Sequence, residues 1–186
     1  MTADPRPPSR FRQVGERTLY DGHVISLGVG SFEGPDGTVF ERDLVHHPGA
    51  VSVVPVLGDE VVLVRQYRAS IDAELLEIPA GKRDVPGEPP EQTAGRELIE
   101  EVGFRAGTLI QLAEFYNSPG FCDEHSWVFL GLDLRAVPAS AQGIEEEHMT
   151  VERVALDDVL GLIAAGELRD AKTIIGLTLA LRHLGR

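Results

Sequence analysis

Three glutamates, Glu97, Glu100 and Glu101, are the residues of this chain whose types and spacing point most clearly to chemistry. At about 100° of rotation per residue they fall within roughly 100° of arc on one side of a helix. Carboxylates at this spacing repel one another, and a cation bound among them removes the repulsion. Oxygen ligands without Cys or His favour a hard divalent ion, Mg²⁺ or Mn²⁺. The alternative is a solvated acidic helix face, which adjacent glutamates usually form.

The segment around these glutamates has the pattern of a helix. Pro89 and Pro90 suit a first turn, because the fixed φ of proline fits there and its missing N–H is not needed. Ala94, Leu98 and Val102 recur every four residues, which places them on one side of the helix. The sequence therefore predicts a helix that buries this apolar stripe and carries the acidic residues beside it.

Composition and charge restrict the possible partners. With 186 residues, 42% of them apolar, the chain has room for one domain with a sizeable core. A net charge of −13 argues against nucleic acid or an anionic membrane as the main partner. It is compatible with an anionic substrate, because bound divalent metals reverse the sign of the local field. Cys122 is the single cysteine, so an intrachain disulfide is impossible.

The N-terminal residues and the lengths of the apolar stretches bear on where the protein is located. Residues 1–10 are rich in proline and small polar residues, and we expect a disordered tail there without a signal peptide. No stretch approaches the roughly 18 apolar residues of a membrane span. We therefore expect a cytoplasmic protein.

Residues 11–47 alternate in the manner of strands and predict a three-stranded antiparallel meander, with turns at Asp21-Gly22 and Gly34–Gly37. Further apolar runs predict strands over 51–56, 61–64, 75–78, 109–115, 127–134 and 149–154, and helices over 157–165 and 171–183. These elements lack the βαβ rhythm of a fully parallel sheet, so the fold class is α+β.

The glutamate segment resembles the Nudix box, which reads G-x5-E-x7-R-E-U-x-E-E-x-G-U with U a bulky apolar residue. The matching residues are Gly81, Glu88, Arg96, Glu97, Leu98, Glu100, Glu101, Gly103 and Phe104. One departure is that six residues, rather than five, separate Gly81 from Glu88. The extra residue lies in the loop, so the register of the helix is unaffected.

This resemblance implies the Nudix fold over residues 46–186, a mixed β-sheet sandwiched between helices. Residues 11–45 would form a separate N-terminal antiparallel β-region. In the ADP-ribose pyrophosphatase branch of the family, such a region builds a homodimer by exchange of strands between subunits. The alternative is an edge hairpin on a monomer.

The resemblance also implies two or three Mg²⁺ ions, which Mn²⁺ could replace. Their ligands would be the Ala80 carbonyl and the carboxylates of Glu97, Glu101 and Glu147, with Glu100 as a further candidate. Glu97 and Glu101 thereby become catalytic residues. Structural support within the box would come from Gly81, Glu88, Arg96 and Gly103. Arg96 would pair with Glu88 or Glu100.

The loop Glu145–Glu147 is otherwise an ordinary charged run. In the ADP-ribose pyrophosphatase branch, however, the corresponding loop carries the catalytic base, which a count back from Val151 places on Glu145. Glu146 stays a candidate because the register could shift by one residue.

Four residues bear on the substrate. Pro119 stands sixteen residues past Gly103, a position at which proline marks ADP-ribose pyrophosphatases. Gly120 follows where diadenosine polyphosphate hydrolases carry tyrosine, although Ser-Pro-Gly is also a common turn. Arg68 offers a planar fork for a diphosphate. Arg42 matches by position an arginine that, in the ADP-ribose pyrophosphatase branch, helps to hold the nucleotide end of the substrate.

The roles of three aromatic residues are left open, and three further residues are interpreted as structural. Phe32, Tyr20 and Phe40 are competing candidates to stack on adenine, and any of them could belong to the core or an interface. Cys122, His46 and His47 are interpreted as structural, because no zinc or thiol-nucleophile spacing accompanies them.

The implied reaction is hydrolysis of ADP-ribose to AMP and ribose 5-phosphate by an attacking water. One alternative is another nucleoside diphosphate sugar, such as GDP-mannose. Another is a non-enzymatic Nudix domain that senses ADP-ribose, which normally goes with a degraded box and a fused regulatory domain.

Overall fold

The computed structural model describes residues 10–138 and 148–186. The chain divides into two compact units. The first unit comprises the described residues up to Pro48 together with Ser118–Glu124. The second unit comprises Gly49–Asn117 and His125–Arg186, outside the undescribed gap.

The first unit contains the predicted three-stranded meander. Its strands are β1 (Arg12–Asp21), β2 (Ser26–Glu33) and β3 (Val39–His46), paired antiparallel in that order. Both turns fall where the Gly-containing sequences predict them. Every residue of β1 is exposed. The meander therefore has one strand that contributes little to a core within this unit.

The second unit holds a mixed sheet. The strands of this unit are β4 (Ala50–Leu57), β5 (Glu60–Arg68), β6 (Ala73–Glu77), β7 (Ala80–Lys82), β8 (Phe104–Arg105), β9 (Thr108–Tyr116), β10 (His125–Leu132), β11 (Arg135–Ala136) and β12 (Thr150–Ala155). β8 and β11 pair with each other in a separate two-stranded sheet. The main order is β12-β5-β4-β10-β9, with β6 paired to β5 and β7 to β4. Only the β4–β10 pair is parallel among these described strands.

The helices are α1 (Pro90–Val102), α2 (Val159–Ala164) and α3 (Ala171–His183), with a 3₁₀ turn at Leu156–Asp158. α1 begins with the predicted proline and ends at Gly103, whose φ of 67° suits glycine. α3 begins at Asp170, whose carboxylate accepts a hydrogen bond from the Thr173 N–H. Among these helices none is long and apolar enough to cross a lipid bilayer.

Two apolar clusters cover the two faces of the sheet, which agrees with the sheet sandwiched between helices that the Nudix resemblance implies. On one face Val54 of β4 packs in a cluster with Leu177 of α3. On the other face Val53 lies in a cluster with Leu98 of α1. β4 is buried on both faces, which explains why its sequence is a continuous apolar run rather than an alternating one.

Element boundaries differ from the predictions where backbone geometry decides them. β10 ends at Leu132, two residues before the predicted end, because Asp133 adopts a φ of 56° that interrupts an extended strand. β5 extends to Arg68 because β6 pairs along it as far as Ala73. A single backbone conformation sets the first limit, and pairing with the next strand along the chain sets the second.

Gly176 of α3 provides a test of this packing. A Cβ added there would lie 3.0 Å from side-chain carbons of Ile78, Val128 and Val54. We expect Gly176→Val to lower the free energy of unfolding by about 1–3 kcal/mol through overpacking. At Gly161 in α2, no described atom apart from the neighbouring residues and the backbone of the same helix lies within 4 Å of an added Cβ. Gly161→Val should therefore change stability by less than about 0.5 kcal/mol, measured by urea unfolding. Equal effects at both positions would contradict the packing argument.

Candidate active site

The candidate site forms where β7 meets α1. The Ala80 N–H donates a hydrogen bond to Glu101 Oε2 at 2.9 Å. Glu97, one helical turn earlier, lies against Gly81. Both glutamates are only 8% exposed. The structure therefore brings together Ala80, Gly81, Glu97 and Glu101, four of the residues that the sequence pattern singled out.

Gly81 is required by this close approach. A Cβ added at Gly81 would lie 1.9 Å from Glu97 Cδ and within 2.3 Å of both carboxylate oxygens. Any other residue would displace the carboxylate or the β7 backbone. The glycine at the start of the box thus leaves room for the Glu97 side chain.

Arg96 lies among four carboxylates. Its Nη1 is 2.8 Å from Glu97 Oε1 and 2.9 Å from Glu100 Oε2, and its Nη2 is 3.4 Å from Asp84 Oδ1 and 3.5 Å from Glu88 Oε2. One guanidinium, with a single positive charge, faces four carboxyl groups. The site therefore has a local excess of negative charge, as a divalent-cation site does.

Burial has a measurable consequence for Glu97. Loss of water around its carboxylate raises the pKa of Glu97 to about 7, and the neighbouring Arg96 opposes this shift only in part. Without further positive charge, this carboxylate is about half protonated at neutral pH. A bound divalent cation would favour the charged form.

The donor chemistry fits a hard cation. Glu97, Glu101 and the Ala80 carbonyl offer oxygen ligands only, the type that Mg²⁺ and Mn²⁺ prefer. Across residues 10–138 and 148–186, no three side chains of His, Cys, Asp or Glu converge closely enough to complete a metal site by themselves. The predicted ligand Glu147 and the predicted bases Glu145 and Glu146 lie outside the described residues.

Arg68, the predicted diphosphate ligand, is held by a buried carboxylate. Its Nε and Nη2 donate to the two oxygens of Glu77, each at 2.7 Å. Glu77 is 1% exposed and also contacts the ammonium group of Lys172, which lies 3.0 Å from Asp170 Oδ2. Sequence reasoning missed Glu77 and Lys172. The available signal was a charged residue, Glu77, within the apolar run that forms β6.

In the first unit, two of the aromatic candidates and Arg42 form one patch. Phe40 stacks on Phe32 with ring centroids 5.8 Å apart, and the Arg42 guanidinium lies 4.6 Å from the centroid of Phe40. Arg42 Nη1 also donates to the Glu41 carbonyl. The third candidate, Tyr20 on β1, is 59% exposed.

Pro119 and Gly120 lie in the segment Ser118–Glu124 of the first unit. The N–H groups of Phe121 and Cys122 both donate to the Ser118 carbonyl, at 3.1 and 2.9 Å, and close the turn predicted from Ser-Pro-Gly. Val45 of β3 exchanges backbone hydrogen bonds with this segment. The turn is therefore anchored on the meander.

Residues 46–175 match the family model of the NUDIX domain. The chain belongs to the Nudix family. Nudix hydrolases use divalent metal ions such as Mg²⁺, which agrees with the carboxylate oxygens brought together at Glu97 and Glu101. The match spans more than two thirds of the chain and includes the whole of the box.

Two curated relatives and one solved structure are similar to this Nudix protein. An ADP-ribose pyrophosphatase of Bacillus subtilis (strain 168) is 40% identical over 163 residues, covering 87% of this chain and 88% of that protein. An ADP-ribose pyrophosphatase of Mycobacterium tuberculosis is 35% identical over 168 residues, with coverages of 90% and 81%. A crystal structure of an ADP compounds hydrolase matches with a TM-score of 0.82 and 24% identity, covering 97% and 99% of the two chains. The structural match confirms the predicted Nudix fold.

The raised pKa of Glu97 predicts a pH-dependent stability in EDTA. The folded state keeps a proton on Glu97 up to about pH 7, whereas the unfolded chain releases it near its ordinary value of 4.5. The free energy of unfolding should therefore fall as pH rises between these values. At about pH 8, Glu97→Gln should be more stable than wild type by about 2–3 kcal/mol, and at about pH 4 the two should agree.

Urea unfolding of the metal-free protein at both pH values measures this difference. Glu91→Gln is the control, because Glu91 is an exposed residue in the first turn of the same helix. A wild-type protein with no stability deficit relative to Glu97→Gln at the higher pH would contradict the burial argument.

Proposed function

We propose that this Nudix protein hydrolyses the diphosphate of ADP-ribose, giving AMP and ribose 5-phosphate. The observation that carries the proposal is the buried pair Glu97 and Glu101 against Ala80 and Gly81, in a chain similar over most of its length to ADP-ribose pyrophosphatases. Pro119 at the position typical of that branch further favours ADP-ribose. The sensor alternative is disfavoured because every fixed residue of the box is present.

Two or three Mg²⁺ ions are the proposed cofactors. Ala80, Glu97, Glu101 and Glu147 would hold them, with Glu100 as a further ligand. When bound, such ions polarise phosphoryl oxygens and lower the pKa of a bound water. The role of Arg96 is to keep Glu97 and Glu100 in place between metal-binding events, by the contacts described above.

The chain itself would supply the remaining chemistry. Glu145 accepts the proton of the attacking water, whose oxygen forms a bond to phosphorus as the bridging P–O bond breaks. Arg68, oriented by Glu77, donates hydrogen bonds to the diphosphate. Arg42 binds the nucleotide end, and Pro119 and Gly120 shape the pocket for the terminal ribose.

We also propose that the protein is a homodimer in which the N-terminal strands are exchanged between the subunits. Its proposed location is the cytoplasm. β1 is exposed along its whole length and carries apolar side chains, with Leu19 and Tyr20 at least half exposed. Burial of such residues against a second copy would stabilise the association. Sedimentation of the full chain and of a chain lacking residues 11–45 tests it. A full chain that sediments as a monomer at micromolar concentration would contradict the dimer.

Removal of the metal-binding charge should reduce catalysis without unfolding the protein. We expect Glu101→Gln and Glu97→Gln each to lower kcat for ADP-ribose by at least about a hundredfold, because metal stabilisation of the transition state contributes several kcal/mol. EDTA should abolish the activity, and Mg²⁺ or Mn²⁺ should restore it. Phosphate release after coupling to a phosphomonoesterase measures the rate.

Glu91→Gln, on the same helix but exposed, is the matched control and should retain wild-type kcat. A substrate panel that includes GDP-mannose distinguishes hydrolysis of ADP-ribose from hydrolysis of another nucleoside diphosphate sugar. Preference for GDP-mannose in kcat/KM would overturn the ADP-ribose assignment while leaving the hydrolase assignment in place.

Substitutions at Glu145, Glu146 and Glu147 test whether this loop carries a catalytic base or is an ordinary charged surface loop. Glu145→Gln should lower kcat by about 10²- to 10⁴-fold with little change in KM, and a rise in pH should partly restore the rate. Glu147→Gln should shift the Mg²⁺ requirement, and Glu146→Gln should resemble wild type. Loss of activity in Glu146→Gln alone would move the base by one residue. Full activity in all three would leave Glu100 as the next carboxylate to test.

A further inference from the structure

His46, at the end of β3, lies between two carboxylates from different parts of the first unit. Its Nδ1 is 2.6 Å from Asp123 Oδ2, in the segment Ser118–Glu124, and its Nε2 is 2.8 Å from Glu16 Oε1 on β1. A neutral imidazole has one N–H, whereas the imidazolium has two. Only the protonated ring can therefore donate to both carboxylates at once.

Each carboxylate is itself held in place. Asp123 Oδ1 accepts a hydrogen bond from the His47 N–H at 2.8 Å. Glu16 Oε2 accepts one from Gln13 Nε2 at 2.8 Å. A Cβ added at Gly28 would lie 2.6 Å from Glu16 Oε1, so the glycine in β2 leaves room for this carboxylate.

Backbone contacts join the same two places. The Val45 N–H donates to the Phe121 carbonyl at 2.7 Å, and the Asp123 N–H donates to the Val45 carbonyl at 3.1 Å. These bonds attach the segment to the last residues of β3. The His46–Asp123 contact adds a charge-assisted hydrogen bond at the same point.

The geometry has a defined dependence on pH. The hydrogen bonds to Asp123 and then to Glu16 raise the pKa of His46, against a smaller opposing effect of burial. The acidic groups that face His46 are Glu16 from β1 and Asp123 from the segment, both at hydrogen-bond distance. A raised folded-state pKa means that the contacts contribute fully below the ordinary value of 6.5 and are lost as pH rises through the raised value.

We propose that His46 is a positioning residue for substrate binding, which in its protonated form clamps the segment Ser118–Glu124 to β1 and β3. The proposal rests on the proposed function, because that segment carries Pro119 and Gly120, the residues assigned to the terminal ribose. Protonation of His46 keeps the turn in its binding conformation. Deprotonation leaves one N–H for two carboxylates. Whenever that N–H lies on Nε2, the hydrogen bond to Asp123 is lost and the segment opens more often. Affinity for ADP-ribose therefore falls while the chemical step at Glu97 and Glu101 continues.

Cys122 provides a direct probe of the clamp. It is the only cysteine of the chain, it lies within the segment, and it is half-buried. The rate at which a thiol reagent such as dithionitrobenzoate labels Cys122 reports how often the segment opens. The rates of a variant and of wild type are compared at the same pH.

We expect His46→Gln to label about three- to tenfold faster than wild type at about pH 6, the effect of losing one charge-assisted hydrogen bond at a partly exposed site. The ratio should decline as pH rises and the wild-type His46 loses its proton. Asp123→Asn and Glu16→Gln should reproduce the fast labelling, and they provide the test if His46→Gln fails to fold. His23→Gln, an exposed histidine of the same unit, is the control and should label at the wild-type rate.

The second measurement is the kinetics of ADP-ribose hydrolysis. His46→Gln should raise KM about three- to tenfold with kcat within about twofold of wild type, because the clamp acts on binding rather than on the transition state. Wild-type KM should rise with pH over the same interval as the labelling rate, and KM of His46→Gln should not. A purely structural histidine would give a pH-independent loss in both parameters.

The outcomes are distinguishable. Equal labelling of wild type and His46→Gln, or a ratio that does not change with pH, overturns the clamp. A labelling change without a change in KM overturns its link to substrate. Absence of ADP-ribose hydrolysis in wild type overturns the proposed function and with it that link, whereas the labelling experiment still decides whether His46 holds the segment.

Discussion

The crowding of carboxylates around Arg96 is the interaction on which the candidate site depends. Four acidic side chains compete for one guanidinium, and one of them, Glu97, is nearly buried against Gly81. Burial of a carboxylate without a full countercharge costs free energy, which the raised pKa of Glu97 expresses. Arg96 by itself does not neutralise the four carboxylates that it contacts. A divalent cation would supply the missing positive charge. The excess negative charge that favours binding of the metal ion is therefore also what the proposed catalysis requires.

The fold holds this unfavourable arrangement through packing that surrounds it. Leu98 of α1 is fully buried on one face of the sheet, and Leu177 of α3 is fully buried on the other. β4 lies between them and contributes to both clusters. Because α1 is anchored by its apolar stripe, the adjoining acidic stripe has no freedom to turn towards solvent and relieve its repulsion.

Much of the fold was predictable from local patterns. Helix α1 was predicted from its first-turn prolines, its apolar stripe and its terminal glycine, which are signals that act over a few neighbouring residues. The structure has the helix at that place. The meander follows for the same reason, whereas the mixed sheet was expected from the resemblance of the box to the Nudix family. Strand limits were less accessible: the early end of β10 depends on the backbone conformation of Asp133, and β7 is too short to give a period.

For the site, the sequence by itself determined the order and spacing of the box residues, and hence that Glu97 and Glu101 share a helix face. Tertiary structure alone decided that Glu101 receives the Ala80 N–H, that Gly81 must lack a side chain, and that Glu77 holds Arg68. It also decided that His46 meets Glu16 and Asp123, which are separated from it by 30 and 77 residues along the chain. The physical reason is range. Helical periodicity acts over a few residues, whereas burial and charge pairing depend on which distant segments the packed sheet brings within hydrogen-bond distance.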